Sequence, residues 1–454
     1  LKSSEKIDRK MNRIIILFTA VLFFGASTVS EAQEEWTLQK CIDYALENNI
    51  QIKRQELNTQ YSRNQVNQAR ADRLPNLNAG ASNNFSYGRS LNNDNVYENV
   101  NSTQLTGYVN SNLTLFNGFT LQKTIEQSRL DLQAAIQDLE KTKDDIILNI
   151  AAAYLEILFA EELAQIAEAQ IEVTSQQIDR TQKLIEAGSL ARGALLEIEA
   201  QLAREELQLV NDENRVKLAY LNLYQLLELP VEKSFEIKKP VLPEVKANVT
   251  MAHSFDVFSD AVKIRPEIEA ARLRVESAKR QLDIVKGNRY PSLSFGANYN
   301  NQYYNIMNSD FEQLPFGEQL KSNSRYGFGF TLNIPIFNRF QVKHGVSNAK
   351  LQITDYEYQL QTSRNLLRKD IEQAYTNALA ALNRYVSSEK AVESTREAFR
   401  YTEEKFNVGM VNSVEYNQSK NNLTTAQSEL LQARYEYIFR AKILDFYNGV
   451  PIEL

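Results

Sequence analysis

The 454-residue sequence holds one cysteine, two histidines, one tryptophan and nine prolines, and each scarcity removes a class of answers. A single cysteine excludes an internal disulfide framework. Cys41 lies in the amphipathic run 38–46, where a small buried hydrophobe is expected, and it is too far from the leader's end to carry a lipid. Two histidines, His253 and His344, are too few to assemble a metal site or a catalytic triad, so neither catalysis, a metal nor a cofactor is expected. Gly327-Phe328-Gly329 sits inside a strand pattern and is no phosphate loop. Basic excess is missing too: 51 Lys and Arg against 57 Asp and Glu give a net charge of -6, which offers nucleic acid no surface. Beyond the first residues there is no apolar run of membrane-helix length, so entry into a membrane would have to use strands.

The N-terminal pattern is that of an export leader. Lys10 and Arg13 flank the start of an apolar run at 14–24, followed by Gly25, Ser27, Ser30 and Ala32. Cleavage is expected after Ala32, with residues 1–10 lying upstream of Met11.

What the chain does have is an internal repeat. Arg73-Leu74-Pro75-Asn76-Leu77 answers Arg289-Tyr290-Pro291-Ser292-Leu293, 216 residues later. Leu115-Phe116-Asn117-Gly118 answers Ile336-Phe337-Asn338-Arg339, Ala153-Tyr154 answers Ala374-Tyr375, and Glu186-Ala187-Gly188 answers Asn407-Val408-Gly409, all 221 residues apart. The offset changes between Leu77 and Leu115, in a stretch rich in Asn, Ser and Gly where a loop tolerates insertion.

Each copy, 33–230 and 256–454, carries the same elements around a linker at 231–255. A helical pattern (38–73, 259–287) ends ahead of Pro75 or Pro291. The period then switches to two: Leu293, Phe295, Ala297 and Tyr299 alternate with Ser294, Gly296 and Asn298, and Tyr326, Phe328, Phe330, Leu332, Ile334 and Ile336 with Gly327, Gly329, Thr331 and Asn333. These are hairpins at 75–117 and 291–338, with loops at 88–104 and 306–324; the strand around 105–116 alternates less cleanly. Long helical patterns at 119–187 and 342–408 follow, roughly 100 Å each at 1.5 Å per residue. Gly188 and Gly409 mark turns into return helices at 190–229 and 412–449, the last with coiled-coil spacing at Leu423, Ala426, Leu430, Ala433 and Tyr437. Two shorter helices end to end match one long one.

Four strands with one apolar and one polar face cannot close a membrane barrel, which takes about eight or more. The chain must therefore oligomerise if its strands enter lipid, and strand counting leaves a dimer and a trimer both open. Tyr87, Tyr299 and Tyr326, near strand ends, are candidates for an interfacial girdle.

These residues resemble the outer membrane efflux protein (TolC) family over essentially the whole mature chain. The resemblance rests on the duplicated order of elements, on Leu-Phe-Asn-Gly after the second strand, and on Phe406-Asn407-Val408-Gly409 followed six residues on by Glu415, then Ala433-Arg434-Tyr435-Glu436-Tyr437. It implies a mainly α protein with membrane β: a homotrimer whose twelve-stranded outer-membrane barrel continues into a twelve-helix periplasmic tunnel. It also implies that a periplasmic adaptor and an inner-membrane transporter deliver substrate to the helical tips. Adaptor contacts are then expected at Gly188, Ser189, Leu190, Gly409, Met410 and Val411. By residue matching, a pore constriction is expected at Glu415, Glu197 and Gln418, where a threefold ring of glutamates would favour cations. Val411 stands where the family has an arginine that links the closed state. A type I protein-secretion duct shares the fold, and a periplasmic coiled-coil or adhesin protein is the rival from another class, disfavoured by the alternating hairpins.

Overall fold

The computed structural model describes residues 35–91, 95–230, 235–240, 245, 253–307 and 313–453; the leader and most of the linker lie outside them. In chain order the first copy contains β1 (Glu35–Trp36), α1 (Leu38–Asn48), α2 (Ile50–Ala71), β2 (Asn78–Ser86), β3 (Arg89–Leu91), β4 (Tyr97–Asn99), β5 (Ser102–Asn117), α3 (Thr120–Glu186) and α4 (Arg192–Leu227). After β6 (Glu236–Ile237) come α5 (Ser254–Ile264), α6 (Pro266–Gly287), β7 (Ser292–Ile306), α7 (Phe316–Ser322), β8 (Arg325–Asn333), α8 (Gln341–Asn407) and α9 (Ser413–Tyr447). Helices α3 and α8 each run 67 residues without a break. Among the described residues no helix is long and apolar enough to cross a membrane.

The helices lie in four rows. α3 packs on α2 and α4 along one side and on α6 and α9 along the other, and α8 packs on α6 and α9. The sheet repeats that order, β2-β5-β7-β8, with every neighbour antiparallel. Because β2 follows α2, β5 leads into α3, β7 follows α6 and β8 leads to α8, each strand continues one helical row. The chain therefore has two open edges that run its whole length: β2 with α2 and α4 on one side, β8 with α8 on the other.

Two joints depart from the continuous helices that the pattern predicts. Asn49 and Arg265 interrupt them with extended backbone, at ψ 128° and 129°. Asn49 Oδ1 accepts from the N–H of Gln51 at 2.9 Å, while Nδ2 donates to the Leu226 carbonyl at the end of α4 at 3.0 Å. Arg265, with Pro266 opening the next helix, pairs with Asp144 at 2.9 Å and lies 4.5 Å over the Phe446 ring at the end of α9. Each joint is thus fastened to the end of its own return helix. A core around Cys41, Ile150, Tyr154, Ile157 and Leu223 lies beside the first joint. There the Tyr154 hydroxyl reaches the carbonyls of Trp36 and Lys238, holding the parallel pair β1–β6 against α3.

Burial raises the Asp144 carboxyl from 3.8 to about 6, with Glu267, Glu140 and Asp145 adding to the shift and Arg265 opposing it. The folded chain then holds a proton that the unfolded chain has released, so this residue's contribution to stability falls as pH rises from 3.8 to about 6 and levels off above. Thermal midpoints of Asp144→Asn across that range are expected to show a flatter dependence than the parent; an unchanged slope would refute the assignment.

Strand register fixes two faces. Ala79, Ala81 and Phe85 share one with Leu105, Val109 and Leu113, with Leu293, Phe295, Ala297, Tyr299 and Tyr303, and with Tyr326, Phe328, Phe330 and Leu332. The opposite face carries Ser82, Asn84, Asn110, Asn112, Ser294, Gly296, Asn298, Gly327, Gly329 and Thr331. The imperfect alternation near 114–116 has a cause: a bulge between Thr114 and Phe116 shifts the register by one residue. β8 ends at Asn333, short of Ile334 and Ile336, because its partner β7 begins opposite, at Ser292 just after Pro291, and Pro335 follows with no N–H to offer. Both expected loops also hold structure, the ribbon β3–β4 in the first and α7 in the second.

The strand-to-helix joins share a geometry. Gly118 and Phe119 both have positive φ, 67° and 64°, and so do Arg339 and Phe340, 52° and 62°. The matching positions of the repeat therefore turn alike, although only one of them is glycine.

Candidate functional site

At the far end of the helices from the sheet, two turns close the hairpins α3–α4 and α8–α9. Gly188 and Gly409 adopt φ 74° and 76°, and a Cβ on either would meet nothing within 4 Å. Backbone conformation alone explains these glycines. Ser189 N–H donates to the Leu184 carbonyl at 2.9 Å, and Met410 N–H to the Lys405 carbonyl at 2.8 Å, closing both helix ends in the same way. Met410 is 76% exposed and Val408 68%, so the tip of the second hairpin presents apolar side chains to solvent. Ser189 is exposed, while Leu190 and Val411 are half-buried.

Just past these turns the two copies meet through polar side chains. Asn412 caps α9, its Oδ1 accepting from the Glu415 N–H at 2.9 Å, which leaves the Glu415 carboxylate exposed in the first turn. Gln418, also exposed, donates to Asn422 at 3.0 Å on the same helix. The Glu197 carboxylate accepts from the hydroxyl of buried Ser413, so it bridges α4 to the start of α9. On the neighbouring seam, Arg180 donates to Asn407 at 2.6 Å, joining α3 to α8. The three expected constriction residues thus lie near one another just past the tips, all three exposed and Glu197 also engaged across the repeat.

One level further in sits a cluster that sequence reasoning missed. Lys420 on α9 is only 4% exposed. Its ammonium donates to Glu205 on α4 at 3.0 Å, to the Gln170 carbonyl on α3 at 3.1 Å, and to the Thr174 hydroxyl. Thr174 in turn donates to the second oxygen of Glu205 at 2.5 Å, and Gln201 links Glu205 to Asn421 with two contacts of 2.9 Å. Burial lowers the Lys420 ammonium below the ordinary lysine range, while Glu205 works in the opposite sense. Lys420 lies one place off the seam spacing, where lysines ordinarily extend into solvent; nothing in the local pattern marks it as buried.

Among the described residues no group of His, Cys, Asp and Glu could hold a metal ion. His253 stacks on Tyr375 at 6.3 Å, and burial pushes the Cys41 thiol up to about 12, which leaves it unreactive.

The profile of a known family, described as outer membrane efflux protein, matches the chain twice, over residues 41–228 and 257–448. The chain belongs to the outer membrane efflux protein family. The two matches coincide with the two copies described above. This outer membrane efflux protein is 24% identical to outer membrane protein TolC of Salmonella enteritidis over 451 residues, covering 97% of the chain and 87% of that protein. It is 20% identical to the alkaline protease secretion protein AprF of Pseudomonas aeruginosa, covering 70% of the chain and 64% of that protein. In fold it resembles CusC (TM-score 0.76, 18% identity, 91% of the chain and 92% of CusC) and VceC of Vibrio cholerae (TM-score 0.72, 18% identity, 92% and 97%). The protein is an exit channel of the outer membrane, and its family is one of channels rather than enzymes.

Proposed function

We propose that three copies of the chain close a twelve-stranded barrel and a twelve-helix tunnel, through which substrates pass passively from a periplasmic adaptor and an inner-membrane transporter to the exterior. The observation that carries this reading is the pair of matched open edges. β2 and β8, the free strands, are both nine residues long. Beneath them the free helical edges carry unpartnered apolar stripes. On α4, Leu196, Leu207, Val210 and Leu221 are all more than half exposed and follow heptad spacing with Ala200 and Ala203, with exposed Leu218 one place beside the stripe; on α8, Leu351 and Tyr358 are exposed seven residues apart. An edge of one kind meeting the other kind on the next copy makes a head-to-tail ring. Two copies would give eight strands, a barrel whose interior side chains fill it; twelve leave a passage lined by the Ser, Asn and Gly face.

Detergent-corrected light scattering of the purified full-length protein is expected to give the protein mass of three chains. A monomer stable without detergent would overturn the proposal and favour a periplasmic coiled-coil protein.

Within that ring we assign the constriction to Glu415, Glu197 and Gln418, and the adaptor contacts to Gly188, Ser189, Leu190, Gly409, Met410 and Val411. Glu415 is the strongest element of the assignment, since its carboxylate is exposed at the tip and threefold repetition would set three negative charges around one axis. In planar bilayers, Glu415→Ala with Glu197→Ala is expected to lower cation selectivity, read as a reversal potential moving toward zero in a salt gradient; an unchanged potential would remove these residues from the constriction. The likeness to AprF favours type I secretion as a second reading. Co-purification with a drug transporter or with a protein-exporting ATPase would separate the two.

A further inference from the structure

β7 outruns its neighbour. β8 begins at Arg325, paired with Asn300, yet β7 continues to Ile306, so the backbone of its last six residues lacks a strand on that side. Side-chain amides take the strand's place. Asn323 Nδ2 donates to the Gln302 carbonyl at 2.8 Å. Gln319, buried, accepts from the Tyr304 N–H at 3.0 Å and donates to the Tyr304 carbonyl at 2.9 Å. Gln313 does the same at Ile306, with both contacts at 2.8 Å. Residues 302, 304 and 306 are the alternate positions a further strand would pair, so the segment 313–324, including α7, is clamped to this edge by its polar groups.

Clamping by the polar groups leaves the apolar ones outside. Leu314, Phe316 and Met307 are 54%, 49% and 44% exposed. The Phe316 ring rests on Tyr303 at 5.0 Å, and register puts Tyr303 on the same face as Tyr299, Phe295, Phe328 and Phe330. The segment therefore adds a tier to the apolar face instead of covering it. From Leu293 to Tyr303 the strand rises roughly 33 Å, or about 25 Å vertically with ordinary barrel tilt, which is the height of an outer-membrane apolar band. Tyr303 then marks the outer boundary of that band. Phe316 and Leu314 fall at the headgroup level just above it, the depth that aromatic girdles occupy.

We infer that residues 313–322 form an interfacial foot: α7 seats on the lipid surface of the outer leaflet, its amides holding the barrel lip and its Leu314 and Phe316 side chains entering the headgroup boundary. The inference rests on the lipid-facing assignment of the sheet, and the test separates the two. Leu314→Cys, Phe316→Cys, Phe328→Cys on the apolar belt and Asn84→Cys on the polar face would each carry a bimane label in the full-length oligomer; buried Cys41 does not compete for the label. The proteins are reconstituted into phosphatidylcholine vesicles with and without bromine on the shallow acyl carbons. Labels at 314 and 316 are expected to be quenched at least roughly half as strongly as the label at 328, with little quenching at 84. Quenching at 328 but at 314 and 316 no greater than at 84 would overturn the foot and point to water or a protein partner there. No quenching at 328 would overturn the lipid-facing sheet, and the foot with it.

Discussion

Replacing Gly118 with alanine is expected to cost the channel its assembly. Gly118 follows β5 at φ 67°, and a Cβ there would lie 2.3 Å from the carbonyl oxygen of Gly287, where α6 ends. Backbone has no far end to swing away, and reciprocally a Cβ on Gly287 would come within 2.8 Å of the Gly118 carbonyl oxygen. These two glycines let the first strand-to-helix join press against the second copy's helix. The left-handed conformation alone costs a non-glycine residue roughly 1–2 kcal/mol, and the overlap adds a displacement of packed helices at about 1–3 kcal/mol more. The position is informative because its repeat partner is Arg339, exposed, with φ 52°. Arg339→Gly removes strain without opening a cavity and is expected to be neutral or stabilising by about 1 kcal/mol. Detergent-corrected light scattering for the proposed trimer, and the thermal midpoint of helical circular dichroism in detergent, read both. A Gly118→Ala protein that assembles and melts like the parent would refute the close approach as a constraint on assembly.

The second large effect is expected at Lys420. Lys420→Met leaves the Glu205 carboxylate, whose side chain is only 11% exposed, beside Thr174 and Gln201 without its ammonium. Removing one partner of a buried pair typically costs about 3–5 kcal/mol, whereas replacing both with apolar groups of like volume is often close to neutral. Lys420→Met with Glu205→Met is therefore expected to recover most of what Lys420→Met loses. Amide exchange along residues 170–174 and 415–421 is the local readout: faster in the single variant, near the parent rate in the double. Equal acceleration in both would mean that the cluster contributes packing rather than a paired charge. Because Lys420 and Ser413 belong to the second copy while Gln170, Thr174, Glu197 and Glu205 belong to the first, the same experiment measures how firmly the two hairpins are fastened at the tips.

Much of the architecture follows from rules that act over a few residues. Unbroken helical periodicity over residues later found in two 67-residue helices, alternation along four strands, Pro75 and Pro291 beyond helix ends, and Gly188 and Gly409 at the turns are all local, and a duplicated sequence states each of them twice. Glu415, Glu197 and Gln418 were named differently, from the resemblance to the family, by their count from the turn glycines. Tertiary structure decided what depends on partners far away in the chain. The break at Asn49 needs the Leu226 carbonyl, 177 positions on, and the break at Arg265 needs Asp144 and Phe446. α7 exists because β7 is longer than β8 and its spare backbone groups must be satisfied, a mismatch visible only once the strands are paired. Lys420 was illegible because a lysine is buried only where several helices together supply a carboxylate, a hydroxyl and a carbonyl. Periodicity fixed which face of each element is apolar; the meeting of the two copies decided which polar groups could be taken out of water.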